Sequence, residues 1–333
     1  MDPIVSVVIT AHNRKKYLIN AVKSVLNQDS SRNVYEIIVV KNFADKDIDS
    51  FLEREGIKCI HTDAQPFGEK LAIGIDNSKG EVISFLDDDD EFSRNKISCL
   101  IEAFNDQRVT YHHSSIQTID ESGKEHTDGL SKNIPNTLVT GNFKPNDFKI
   151  VMKYKLDWYM SAISCQANLL KKNSAIIREA RASLDKLTFL LCVDSGGSLY
   201  FDSRLLTRYR VHESLTTRIT NRDSFLKTRK DFYDRSLKSL IEASNNYKDK
   251  VIRSLINWEI IHGKLLVYFF SDAEEDRIST ASIIHYVFLS LSKRFNAITY
   301  WALLDLFRKI MPNMIRSSFY KRFIRKFNTY IPQ

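Results

Sequence analysis

Apolar residues follow two alternating rhythms over the first hundred positions. Residues 4–10, IVSVVIT, are dense in Val and Ile, the pattern of a strand covered on both faces. KKYLINAVKSVLNQ then places Leu18, Ala21, Val22, Val25 and Leu26 at helical spacing. YEIIVV predicts a second strand, and KDIDSFLERE a second helix ended by Gly56. IKCIHT, EKLAIGIDNS, EVISFL and NKISCLIEAFND continue the series as strand, helix, strand and helix. Such alternation predicts βαβ units, hence a parallel sheet covered on both faces.

Beyond about residue 108 the rhythm changes. VTYHHSSIQTID reads as a strand running into a turn, and residues 160–170 and 198–211 read as further strands. NSAIIREARASLDKLTFLLCVDSGG between them predicts two helical pieces. From about residue 224 the pattern is mainly helical, including SFLKTRKDFYDRSLKSLIEA and TYWALLDLFRKIM. The chain is expected to divide into residues 1–220, with halves 1–108 and 109–220, and a helical region 221–333.

Composition narrows the classes. A 333-residue chain with 43% hydrophobic content can bury a large core, and its 10 Gly and 6 Pro leave little for linkers. The cysteines, Cys59, Cys99, Cys165 and Cys192, form no CxxC, so neither a zinc site nor a disulfide framework is expected, and a reducing compartment fits. No secretory signal is read at the N-terminus, and no window has the roughly 18 uninterrupted apolar residues of a span.

Charge is uneven. From residue 281 onward Lys293, Arg294, Arg308, Lys309, Arg316, Lys321, Arg322, Arg325 and Lys326 face only Asp305, so this segment is +8, the net charge of the whole chain. Mixed with Leu, Ile and Phe, it predicts a peripheral contact with an anionic membrane surface, or a helix packed on the rest of the protein. A cytoplasmic protein, peripheral at the membrane's inner face, is the corresponding location. No nucleic-acid recognition motif accompanies these basic residues, so nucleic acid is not an expected partner.

One stretch breaks the ordinary rules. The strand EVISFL ends in four consecutive aspartates, Asp87 to Asp90. Like charges at a strand end repel, and a divalent cation with a taste for oxygen, Mg²⁺ or Mn²⁺, would relieve them. Ligands of open α/β sheets collect at the carboxyl ends of strands, where this run lies. A solvated acidic loop before the next helix is the plainer alternative.

VSVVITAHNR, YLINAVKSVLNQ, YEIIVV and GIDNSKGEVISFLDDDD, in this order and spacing, resemble the N-terminal part of a family 2 glycosyltransferase. The resemblance implies the GT-A fold: a Rossmann-like mixed α/β sheet flanked by helices, here with a mainly helical C-terminal region. It also implies inverting transfer of a sugar from a nucleotide-diphosphate donor to a glycan or lipid-linked acceptor, assisted by Mn or Mg. The family's D-x-D falls on Asp87 and Asp89: Asp89 as metal ligand, Asp87 nearer the ribose or a metal-bound water, Asp88 beside them at the nucleotide. His12, Asn13 and Arg14, at the end of the first strand, are expected to contact the nucleotide, and His12 could lay its ring beside the base. Lys41-Asn42 stands where the family has an aspartate pair, so Asn42 is the expected contact to the base edge, with Lys41 an exposed lysine otherwise. Gly68 and Lys70 match a turn and helix near the nucleotide, and Lys70 is expected to neutralise the diphosphate.

For the acceptor half, the resemblance places the general base on Asp185, at the start of an apolar helix, where it could equally be a helix cap. In RYRVHESLT, Arg210 is expected on phosphate and His212 on the metal or leaving phosphate. His112 and His113 are expected to be structural. Leu184, in place of an acidic neighbour, leaves open an alternative: a catalytically silent nucleotide- or glycan-binding module.

Overall fold

The structure, a computed structural model, describes residues 2–64, 67–126, 134–140, 143–212, 221–247 and 250–271, with a few further residues as far as Lys321. The chain divides into two compact units, Met1–Val211 and His212–Gln333.

The first unit is built on one nine-stranded sheet. Its strands are β1 (Val5–Ala11), β2 (Tyr35–Lys41), β3 (Lys58–His61), β4 (Val82–Asp87), β5 (Glu91–Phe92), β6 (Val109–Ile119), β7 (Thr137–Val139), β8 (Ile163–Gln166) and β9 (Ser198–Arg210). The order is β3-β2-β1-β4-β8-β6-β9-β5, with β7 also on β9. Helices α1 (Leu18–Leu26), α2 (Lys46–Arg54), α3 (Phe67–Asp76) and α4 (Lys96–Phe104) connect the early strands. Later come α5 (Pro145–Tyr154), α6 (Ala167–Lys172), α7 (Ser174–Glu179) and α8 (Leu184–Asp194).

β1 lies between β2 and β4, parallel to both, and all seven of its residues are buried. Each buried Val or Ile there contributes about 1.5–3 kcal/mol, which makes β1 the natural centre of the sheet. The core beneath it gathers Val7, Ile9, Leu18, Val22, Ile37, Val39 and Leu86. Gly68 opens α3 against α7, and a Cβ there would lie 2.0 Å from the Ile177 carbonyl oxygen. The glycine expected in a turn at the nucleotide therefore serves close helix approach instead.

Direction decides what meets at the sheet's edge. β1, β2 and β4 are parallel, β8 runs against β4, and β6 and β9 run with β4 again. The carboxyl ends of β1, β2, β4 and β9 thus share one edge. The residues entering β8, and the start of α8, which must lead back to the opposite end where β9 begins, lie at that same edge.

Two readings of local structure change. Residues 160–170 are not one strand: a single 3-10 turn, Met160–Ala162, precedes the short β8, and α6 follows. ANLLKK carries good helix formers, which take over once β8 has paired with β4 and β6. The two-residue β5 and three-residue β7 carry too little pattern to be read from sequence and form by pairing on the long β9. Cys165 and Cys192, which look isolated in sequence, are both buried with sulfurs 3.5 Å apart as free thiols.

In the second unit, α9 (Arg222–Ser244) and α10 (Lys250–Phe270) pack on each other. Asn221 caps α9 by accepting from the Ser224 N–H at 2.8 Å. Phe270 stacks on Tyr233 and meets Phe225 edge-on. No helix among the described residues is long and apolar enough to cross a membrane. The basic segment from 281 onward, and the helix expected at TYWALLDLFRKIM, lie almost entirely outside the described residues.

Candidate active site

The aspartate run turns sharply as it leaves β4, and the turn is held from below. The Ser161 hydroxyl accepts from the Asp87 N–H at 3.0 Å and donates to Asp90 Oδ2 at 2.6 Å. Asp90 Oδ1 accepts from the Arg210 N–H at 2.9 Å. Beneath, Thr207 Oγ1 donates to the Ser161 carbonyl at 3.0 Å and bonds Ser114 Oγ at 3.1 Å. The ammonium of Lys96, fully buried, donates to Ser114 Oγ at 3.1 Å. Burial pushes Lys96 down to about 7. Neither Ser161 nor Lys96 announces itself in sequence, because their partners are 71 and 18 positions away.

This scaffold brings carboxylate oxygens of Asp87, Asp89 and Asp90 within 4.8 Å of one another. Burial first, then the charges of Asp89 and Asp88, raise Asp87 to about 8, and Asp185 adds to the rise. Asp90 is raised well above the ordinary carboxyl range by burial and then by the charges of Asp89 and Asp87. Desolvated, crowded carboxylates of this kind are stabilised by a hard cation, so the donor set fits Mg²⁺ or Mn²⁺. Asp89 and Asp87 would hold it, with Asp90, absent from the expected ligand set, oriented beside them.

Ser161→Ala tests the scaffold. It removes the acceptor of the Asp87 N–H and the donor to Asp90 at one stroke. Mn²⁺ affinity should fall about tenfold, with a stability loss of about 1–3 kcal/mol for the stranded buried groups. Mn²⁺ titration and a melting curve report both. Unchanged Mn²⁺ affinity would show that the serine does not set the geometry of the run.

Asp185 lies in the first turn of α8, after Ser183, which takes the helix N-cap position in a left-handed conformation (φ 56°). The cap position therefore does not fall on Asp185. Its carboxylate accepts from the N–H of Lys186 at 2.9 Å and from the Tyr159 backbone. Burial nevertheless raises its pKa, outweighing those hydrogen bonds. Its charge also contributes to the raised pKa of Asp87. Lys186 pairs with buried Asp157 at 3.6 Å.

At the end of β1, Asn13 adopts a left-handed conformation (φ 54°), which asparagine tolerates better than most residues. Its N–H donates to Asn42 Oδ1 at 2.8 Å, and Asn42 Nδ2 returns the bond to Asn13 Oδ1 at 2.9 Å. This amide pair ties β1 to β2. Asn42 thus faces Asn13, with part of its hydrogen-bonding capacity already committed. His12 Nδ1 is buried and has no hydrogen-bond partner among the described residues. Burial and the nearby Lys70 charge lower the His12 pKa, so the ring is neutral at pH 7.

Several expected roles are corrected. Lys41 is buried, pairing with Asp49 at 2.7 Å and donating to the Phe43 carbonyl, because β2 carries its stem into the core. Lys70 is also buried, with its ammonium on the Ala64 carbonyl, and burial lowers its pKa. Arg210, expected on phosphate, is engaged within the protein. Its guanidinium is buried and donates to the carbonyls of Asp89 at 2.8 Å and Asp120 at 2.9 Å, pairs with Glu91, and lies 4.6 Å from the Tyr17 ring centre. It braces the run instead. Asp88 is buried against Arg14, whose Nε donates to its Oδ1 at 2.9 Å, so this carboxylate is turned from the nucleotide role. Arg14 also pairs with Asp89 at 2.6 Å. His212 is half-buried at the start of the second unit. His112 and His113 are structural: His112 meets Asp202 at 3.2 Å, and His113 donates to the Trp158 carbonyl at 2.8 Å.

A mixed sheet with its parallel half ending in this acidic run and helices flanking it is a GT-A glycosyltransferase fold. Residues 6–170 match the family model Glycosyl transferase family 2, and the domain they form belongs to that family. An uncharacterized glycosyltransferase of Rickettsia bellii is 32% identical over 127 residues, covering 37% of this chain and 18% of that protein. The chain thus spans about a fifth of that relative's length. The GalNAc(5)-diNAcBac-PP-undecaprenol beta-1,3-glucosyltransferase of Campylobacter jejuni is 27% identical over 198 residues, covering 54% of this chain and 63% of that enzyme. The crystal structure of S. aureus TarS 1-349 in complex with UDP-GlcNAc matches with a TM-score of 0.57 at 12% identity, over 87% of this chain and 79% of that one.

Proposed function

We propose that the protein transfers a sugar from a nucleotide-diphosphate donor to an acceptor hydroxyl, by inverting single displacement. The observation that carries this reading is the cluster of Asp87, Asp89 and Asp90 carboxylates, with ligand atoms within 4.8 Å of one another, where the parallel strand β4 ends. Asp185 takes the acceptor's proton as its oxygen forms a bond to the anomeric carbon. The bond from that carbon to the diphosphate breaks, and the electron pair leaves with the phosphate. A divalent cation held by Asp89 and Asp87 would supply charge neutralisation for the leaving diphosphate. Neutral His12, with its orphaned Nδ1 at the end of β1, would contact the nucleoside. The raised pKa of Asp185 suits a base, because it brings the carboxylate closer to the pH at which it must accept a proton.

The names of the similar proteins guide the substrate. UDP-GlcNAc in the TarS complex and the undecaprenol-linked acceptor in the Campylobacter enzyme's name support a UDP-sugar donor and a lipid-linked acceptor. A panel of nucleotide-sugars with Mn²⁺, read by thermal shift, identifies the donor, since a ligand that binds only the folded state raises the melting temperature. The labelled hit is then incubated with a membrane lipid extract. Label entering the organic phase supports a lipid-linked acceptor, and label confined to water argues against it. A donor that binds but is neither hydrolysed nor transferred would favour the silent binding module, the reading to which Leu184 points.

A further inference from the structure

Arg14 holds an unusual position for a residue beside an acidic metal site. Its Nη1 is 2.6 Å from Asp89 Oδ2, and its Nε donates to Asp88 Oδ1 at 2.9 Å. The guanidinium therefore lies against the carboxylate best placed to ligate a cation. It follows the end of β1, and its side chain is 35% exposed, whereas Asp88 beneath it is only 2% exposed. Asp88 gives the arginine a buried anchor, and Asp89 is the partner it can release. Two cations cannot share one carboxylate at contact distance without repelling each other. A released guanidinium here has one natural new partner, a diphosphate, whose oxygens match its planar fork.

We propose that Arg14 is an exchangeable counter-ion: it neutralises Asp89 until a divalent cation takes that carboxylate, and then turns its outer nitrogens to the donor's diphosphate. The inference rests on the metal-assisted transfer reading above. It assigns Arg14 a positioning role that couples arrival of the metal to arrival of the nucleotide. Metal alone meets a competitor on Asp89, while metal accompanied by a diphosphate offers the arginine a replacement anion. Binding of the two is therefore cooperative, with Arg14 as the link.

The test compares the wild-type chain with Arg14→Gln, Arg14→Lys and Asp89→Asn, each first checked for a cooperative melt. Free Mn²⁺ is titrated by electron paramagnetic resonance, and the preformed Mn²⁺–pyrophosphate complex by calorimetry. The expected result for Arg14→Gln is a crossed pair of effects. Mn²⁺ alone binds about tenfold more tightly, and Mn²⁺–pyrophosphate binds about tenfold more weakly. Arg14→Lys, which keeps a charge but loses the fork, falls between. Weakening of both ligands would mean that Arg14 merely shapes the loop, and it would overturn the proposal. So would tighter Mn²⁺ binding with pyrophosphate unaffected, which is simple competition without exchange. Asp89→Asn separates the layers. If it leaves Mn²⁺ binding intact, the metal assignment itself is wrong and the exchange falls with it. If it abolishes binding, the site stands and Arg14→Gln alone decides.

Discussion

Asp89→Asn leaves a folded protein that no longer takes up Mn²⁺ at micromolar concentration and whose sugar transfer falls by about a thousandfold or more. Each tenfold is about 1.4 kcal/mol of barrier, so the expected loss is about 4 kcal/mol, the scale of losing a preorganised electrostatic partner for a leaving anion. Stability should hold, because the Asp89 carboxylate takes no part in the Ser161 bonds, which go to the Asp87 N–H and the Asp90 carboxylate. The variant leaves Arg14 its contact to Asp88. Wild-type Mn²⁺ uptake should also release a proton below about pH 8. Asp87 is raised to about 8, so near neutrality it is largely protonated and must ionise to become a ligand. The same shift makes Asp87 cost stability to the metal-free fold as pH climbs from its ordinary 3.8 toward about 8, since over that range the unfolded chain has already given up the proton and the folded one has not. Calorimetry in buffers of different ionisation enthalpy measures the released proton. Full Mn²⁺ affinity in Asp89→Asn would place the metal elsewhere.

The parallel half of the sheet was legible because its physics is local. The strands within IVSVVIT, YEIIVV and EVISFL are almost wholly buried and carry no competing pattern, and the helices between them show clean apolar stripes. The aspartate run was legible because its repulsion has no cheap structural excuse. What sequence could not show depends on partners far along the chain. Arg210 looks like a phosphate ligand in RYRVH until β9 carries it under the run, where Asp89, Asp120 and Glu91 occupy it. Lys41 reads as a surface lysine because β2 ends there, yet Asp49 on the next helix makes its burial tolerable. Ser161 is one serine in a stretch that reads as a strand. Its role exists only because β8 runs against β4 and sets the turn before it below Asp87. Asp185 lies between these cases: a helix start favours an acid whether it is a cap or a base, and only the position of α8 against the sheet edge separates the two.

Asp185→Asn should keep donor affinity near the wild-type value and lower the transfer rate by about a hundredfold to ten-thousandfold, the range of a lost general base. Asparagine preserves the shape and can still accept from the Lys186 N–H, so the helix start is retained. What disappears is the ability to take a proton from the acceptor hydroxyl. The effect should therefore fall on turnover, with little change in the melting-temperature rise given by donor and Mn²⁺. The pH profile supplies a second readout. A base works only when ionised, and burial raises this carboxyl above its ordinary 3.8, so wild-type turnover should fall on the acid side through that raised pKa. The variant's residual rate should lack this limb. Asp87 responds as well: removing the Asp185 charge removes one of the causes that raise it, so its proton is lost at lower pH and Mn²⁺ uptake becomes less pH-dependent. A rate near wild type with the acid limb intact would move the base to another residue. A collapse of the melting transition would instead show that Asp185 mainly holds α8, and Asp185→Ser, which keeps a helix-start hydroxyl but no base, would then distinguish lost fold from lost catalysis.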